Sequence, residues 1–243
     1  MAEQEVIKHA KKIFGLRNSS KNFWHKFREF FLEIITIVFA VSLSIYLHDN
    51  SEQKHQRRET KEFLLGLRQD LKTDIEEMNG DKKSFVLSGK AFSYITGIKK
   101  NEELNNDSIN KYNNYIFNIT GLIPNSGRFE GFRSSGKIGT IENKELQNNI
   151  MDLYQENIPS LMASTSFYTG KKQKLFDYIA ATRKRISDST TNLATVLTSD
   201  QSFNICLTLT SVKEIIERYD ICIDKMKAII EEIYKEYGMK NDG

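Results

Sequence analysis

Hydrophobic residues are distributed along this chain in two ways: one unbroken run, then stripes at helical spacing. Residues 30–47 read FFLEIITIVFAVSLSIYL, with Glu33 as the single charge. The hydrocarbon core of a bilayer needs about 20 helical residues, and Phe27 and its neighbours supply the remainder. Trp24 and Tyr46 stand near the two ends, where aromatic belts form. After His48 the polarity rises, yet Leu64, Leu67, Leu71, Ile75, Met78 and Phe85 trace one helical stripe. The pattern predicts a transmembrane helix over 30–47 that runs on into a helix ending near Gly97. A buried core helix and a cleaved signal peptide are the alternatives. The polar remainder of the chain argues against the first. A 29-residue front end, with bulky Ile45, Tyr46 and Leu47 after the apolar run, argues against the second.

Further along, residues 100–108 read as a loop, and Asp107 or Ser108 is placed to cap a helix over 109–119. Residues 121–141 hold five of the 13 glycines. A short helix over 128–135 stopped by Gly136 is expected there. Asn143 caps a following helix with Leu146, Ile150, Leu153 and Ile158 inward. Pro159 opens or kinks the next helix, over 160–186, and the Ser/Thr/Asn-rich residues 187–200 form a loop.

The last helix has the clearest signal. Ser211, Val212, Lys213 and Glu214 match a capping box. After it, Val212, Ile216, Tyr219, Ile223, Met226, Ile230, Ile233 and Tyr237 repeat at heptad spacing. A core stripe is favoured over an intermolecular coiled coil. No strand-like alternation and no internal repeat appear. The expected fold is all-α: a single N-terminal transmembrane helix continuing into an antiparallel helical bundle. Its parts are a basic amphipathic segment (1–29), the membrane helix (30–47) and a helical soluble domain (48–243).

Charge refines the picture. The net charge is +3. Residues 1–29 carry seven Lys/Arg against three Glu, Glu33 follows, and the remaining 28 bases and 28 acids cancel. A neutral main domain argues against capture of nucleic acid, which needs clustered cations. The basic excess beside the apolar run exceeds that of the carboxyl flank (Lys54, Arg57, Arg58, Lys61), so the amino terminus is expected in the cytoplasm and the large domain outside it. Residues 3–16 place Val6, Ile7, Ala10, Ile13 and Phe14 opposite lysines, the pattern of a helix lying on an anionic leaflet; a frayed tail is the alternative.

Candidate chemistry is sparse. Cys206 and Cys222 make no disulfide framework or zinc site. On one continuous helix they would stand about 24 Å apart, while a turn near 208–211 would allow a bridge without requiring one. Residues 131–138, GFRSSGKI, have phosphate-loop spacing but end in Ile138, without the hydroxyl that would hold magnesium. His48, Glu52 and His55 share a helix face; a solvated face is favoured there over zinc. No nucleophile elbow or Cys–His pair is present. No catalytic, cofactor-binding or metal-binding residue is nominated, and no cofactor or nucleotide is expected. Glu33 is singled out as a candidate intramembrane interaction site, because an ionisable group inside a membrane helix is costly; a carboxyl lying one turn inside the segment, reaching the headgroups or protonated, is the alternative.

In outline the chain resembles an uncharacterised family of single-pass membrane proteins widespread in Bacteroidota, a domain of unknown function. The resemblance rests on the basic and aromatic front end, Glu33-Ile34 opening the apolar run, and Leu67, Asp70, Leu71 and Asp74 on the charged helix. Phe129, then Ser134-Ser135-Gly136, then a capped helix from Asn143 to Tyr154 complete it. The family's helix usually has Gly where this chain has Ala40, and Asn-Asn-Trp-Asn where it has His48 to Ser51. The resemblance implies a bacterial inner-membrane location, no known activity, and structural roles for Asp70, Asp74, Phe129, Ser135, Gly136 and Tyr154. The expected function is a membrane-anchored, non-enzymatic helical module for protein–protein interaction or envelope scaffolding, with the bilayer and a protein partner or second copy as its contacts. A small-ligand sensor-type bundle is the alternative.

Overall fold

The computed structural model describes residues 20–99, 106–188 and 190–237. The expected amphipathic helix over 3–16 and most of the expected loop over 100–108 lie outside them. All regular structure among the described residues is helical, apart from one isolated bridge between Arg185 and Thr191. The chain divides into two compact units, one up to Arg58 and one spanning Glu59–Gly243.

Helix α1 covers Ser20–Gly97. In the first unit its apolar run is entirely open: the large side chains from Phe30 to Leu47 are 42% to 66% exposed. It is the one helix among the described residues long and apolar enough to cross a membrane.

In the second unit the same helix is half buried. Leu64, Leu67, Leu71, Met78 and Phe85 enter the core, as the stripe predicts, with Ile75 packed against its edge; Phe63, Phe92 and Ile95, outside that stripe, are buried as well. Three polar residues interrupt the stripe at two-heptad intervals, Thr60, Asp74 and Ser88, and all three are buried. Burying a polar group without a hydrogen bond is costly, and each has a partner. The Thr60 hydroxyl meets that of Thr140 at 2.7 Å, Asp74 accepts from Asn125, and Ser88 donates to the Tyr115 carbonyl at 2.9 Å. Each polar interruption thus fastens a different downstream segment to α1 at one register.

Helix α2 covers Asn106–Phe117 and α3 covers Gly127–Ser134. Because α2 begins at Asn106, Asp107 and Ser108 lie inside its first turn and not before it, a correction to the expected cap. Gly136 adopts φ +74°, the left-handed conformation a glycine admits without strain, and it ends α3 as expected. A 3₁₀ turn, Lys137–Thr140, leads to α4, Lys144–Asp152. Asn143 caps α4 by accepting the Leu146 N–H at 3.0 Å, and Leu146, Ile150, Leu153 and Ile158 are buried.

A π turn, Leu153–Asn157, follows and passes without a gap into α5, Ile158–Thr182. Pro159 lacks an N–H and its ring crowds the preceding turn; it sits in the first turn of α5, immediately after the widened π segment. The helix ends at Thr182, four residues short of the expected Ile186. Residues 187–200, expected as loop, contain a short helix α6, Leu193–Leu197. Helix α7, Asp200–Leu207, is capped by Ser199, whose hydroxyl accepts the Ser202 N–H.

Helix α8, Lys213–Tyr237, closes the unit. Of its predicted stripe, Tyr219, Ile223, Met226, Ile230 and Ile233 are buried, whereas Val212, Ile216 and Tyr237 are only partly so. A second line, Ile215, Cys222 and Ile229, is buried as well. The buried face is wider than a two-helix seam because α8 meets both α1 and the α4–α5 region. Its contacts with α1 run in opposite chain order. Lys61 lies over the Tyr237 ring, Lys72 over Tyr234, and Lys82 pairs with Asp220. Cys206 and Cys222 are both buried free thiols, so the bridge left open by the sequence is not formed.

Candidate functional site

Four of the six residues expected to have structural roles, Asp70, Asp74, Phe129 and Tyr154, lie near one another. Asp70 and Asp74 are one turn apart on α1. Asp70 accepts from Arg128 Nε at 2.9 Å. Asp74, fully buried, accepts from Asn125 twice, from the backbone N–H at 3.2 Å and from Nδ2 at 2.6 Å. Phe129, next to Arg128, stacks face to face on Tyr154 with centroids 4.3 Å apart and planes 8° from parallel. Glu77, one turn further along α1, accepts the Ile123 N–H at 3.0 Å. Three carboxylates on one helix thereby latch the strap that precedes α3 and the first turn of α3 itself.

Burial dominates the electrostatics of this cluster. Burial raises the Asp74 carboxyl above its ordinary value, the Asn125 bonds oppose that rise, and the charges of Glu77 and Asp70 add to it. The Tyr154 hydroxyl is pushed up by burial first and by Asp74 and Asp70 next. The Asp74 carboxyl is raised by burial while its fixed partner Asn125 opposes the rise, as an anchor for the strap requires. The guanidinium of Arg128 lies against Gly66, where an added Cβ would collide with Cζ. Only glycine leaves room for that pose.

Ser135 and Gly136 act on the backbone. The Ser135 hydroxyl donates to the Phe132 carbonyl at 2.8 Å and its N–H reaches the Gly131 carbonyl at 3.2 Å, so both finish α3. The phosphate-loop spacing over 131–138 is therefore occupied by the end of a helix and a 3₁₀ turn.

In the first unit, Glu33 is exposed among the exposed apolar side chains of α1. Thr36, one turn on, spends its hydroxyl on the Leu32 carbonyl at 2.8 Å. His48 Nε2 stands 3.8 Å from Glu52, and His55 Nδ1 lies 3.3 Å from Arg58. No group of three potential metal ligands occurs among the described residues.

Sequence reasoning missed Arg128, Asn125 and Lys172. Lys172 is 3% exposed in the middle of α5; its ammonium donates to the carbonyls of Tyr115, at 3.0 Å, and Asn118. It lies 5.9 Å from the centroids of both Phe92 and Phe176. It holds the end of α2, where orphan carbonyls favour a cation, and burial lowers it to about 8. A half-buried acid, Asp81, accepts from the Tyr219 hydroxyl at 3.0 Å and is likewise raised by burial.

No protein-family model matches this chain, and no curated protein or solved structure does either.

Proposed function

We propose that this chain is a membrane-tethered, non-enzymatic helical module that acts by binding a protein partner or a second copy of itself. The observation that carries the proposal is the contrast between the two parts of α1. Its apolar run is open over residues 30–47, and an exposed apolar surface of that length is tolerable in lipid or against another protein, not in water. The buried Asp74, the half-buried Asp70 and Glu77 beside it, and the buried Lys172 are engaged in latching helices and straps. Within this reading the run crosses a bacterial inner membrane once, the amino terminus is cytoplasmic, and the second unit is an antiparallel bundle on the far side. Membership of the single-pass family it resembles belongs to the same proposal, supported by the convergence of Asp70, Asp74, Phe129 and Tyr154.

Glu33 is the intramembrane contact in this reading, since a carboxyl in hydrocarbon needs a hydrogen-bonding partner. Extraction of the full chain in mild detergent, followed by mass determination in the micelle, tests the proposal. A complex heavier than one 28.1 kDa chain is expected, and Glu33→Gln is expected to disperse it. A strictly monomeric species accompanied only by background proteins would refute the interaction role.

A further inference from the structure

Where α4 meets α8, three side chains make a line of contacts. Lys225 Nζ donates to Asn149 Oδ1 at 3.0 Å, and Asn149 Nδ2 donates to Glu232 Oε1 at 2.9 Å. All three residues are half-buried, and those beside them in sequence, Ile150, Met226 and Ile233, are fully buried. Glu232 Oε2 is shielded from solvent and has no hydrogen-bond partner among the described residues. A shielded polar atom left over in a packed seam calls for an explanation. Burial raises the Glu232 carboxyl above its ordinary value; the Asn149 bond opposes that rise, Glu145 adds to it, and Lys235 and Lys225 oppose it. A carboxyl so placed can hold a proton in transit.

An amine, a primary amide and a carboxyl in this order are the two reactants and the proton carrier of an amide exchange. Adding a C=O bond of about 1.23 Å to the 3.0 Å contact puts Nζ no more than about 4.2 Å from Asn149 Cγ. A near-attack pose needs about 3–3.5 Å, and the flexible lysine stem can supply the difference. Lys172 of α5 donates to backbone carbonyls, where the same reaction would cut the chain.

We propose that Lys225 and Asn149 join in an isopeptide bond that staples α4 to α8. The Lys225 ammonium first gives a proton to Asp152, whose Oδ2 is 3.4 Å away. The neutral Nζ attacks Cγ, and a C–N bond forms. Glu232 takes a proton from Nζ and hands it to Nδ2. The Cγ–Nδ2 bond then breaks, and ammonia leaves, taking the proton held by Asp152 to become ammonium. Nothing is oxidised or reduced, and no co-reactant is consumed. The bond links residues 76 apart in the chain, and a cross-link of that kind constrains the unfolded state. All the reacting groups lie in the second unit, so this goes beyond the tethering reading and does not rest on it.

Intact-mass spectrometry of the purified full chain in detergent, followed by peptide mapping, tests it. The expected result is a mass lower than that of the sequence by one ammonia, with a branched peptide joining Lys225 to Asn149. Lys225→Arg and Glu232→Gln, each checked for folding by circular dichroism, should both retain their full mass. Succinimide formation at Asn79-Gly80 would lose ammonia too, and the map separates the two sites. Full mass in the wild-type chain after prolonged incubation, an ammonia loss without the branched peptide, or a branched peptide that survives in Glu232→Gln would overturn the proposal.

Discussion

The Phe129–Tyr154 stack is where the latch meets the core, and it can be perturbed with a calculable result. Phe129 is fully buried and Tyr154 is 8% exposed, with ring planes 8° from parallel. Truncating a buried Phe to Ala costs about 3–5 kcal/mol. Phe129→Leu keeps most of the apolar bulk, so a loss of about 2 kcal/mol is expected, between a volume-conserving swap and full truncation. For a unit of this size, each kcal/mol lowers Tm by roughly 2–4 °C, which gives a fall of roughly 4–8 °C. The stack itself is isolated by a double-mutant cycle with Tyr154→Leu. An aromatic pair contributes about 0.5–1.5 kcal/mol beyond area burial, and that is the expected coupling energy. Denaturant unfolding of the four proteins in detergent, followed by circular dichroism, reads it directly. A Phe129→Leu cost below about 0.5 kcal/mol, the range of ordinary surface substitutions, would refute the packing. Strict additivity with Tyr154→Leu would refute the stack.

Other expectations concern charge, close approach and thiols. Burial lowers Lys172 from 10.5 to about 8, so between those values the unfolded chain holds more protons than the folded one and stability rises with pH. Measured against Lys172→Met, the wild-type chain should gain stability from pH 8 to 10.5, approaching about 3 kcal/mol; a flat difference would show that the lysine is not buried. A Cβ on Gly89 would meet the Thr210 carbonyl at 3.1 Å and Val212 at 3.2 Å, so Gly89→Val should cost about 1–3 kcal/mol in unfolding experiments. Val212→Ala in that background should recover part of it. Burial pushes Cys206 up to about 12 and Cys222 up to about 11, so both thiols should resist alkylation until the chain is denatured, which mass spectrometry will show.

Local signals in this chain were legible and distant ones were not. The Asn143 cap, the Gly136 stop and the inward line from Leu146 to Ile158 each depend on residues within one or two turns, and the structure holds all of them. The stripe on α1 was equally plain, but the burial of Thr60, Asp74 and Ser88 along it was not. What they bind lay out of reach, because Asp74 finds Asn125 51 residues away and Thr60 finds Thr140 80 residues away. Lys172 looked like one more surface lysine, since no spacing rule places it under the end of α2. On α8 the heptad reading was too narrow: a single stripe presumes one neighbour, while Cys222 and Ile229 are buried because a second neighbour lies beside them. The short helix α6 falls in a Ser/Thr-rich stretch where tertiary packing overrides weak local preference, and α5 stops just before the basic residues Arg183, Lys184 and Arg185.

The central claim is that residues 30–47 cross a membrane and leave the second unit outside the cytoplasm. Fusing alkaline phosphatase after Gly243, and a reporter active only in the cytoplasm at the same site, tests that most directly. Phosphatase activity with a silent cytoplasmic reporter is the predicted result. The cytoplasmic reporter active alone would contradict the account, reverse or abolish the crossing, and move the search for a partner to the cytoplasm.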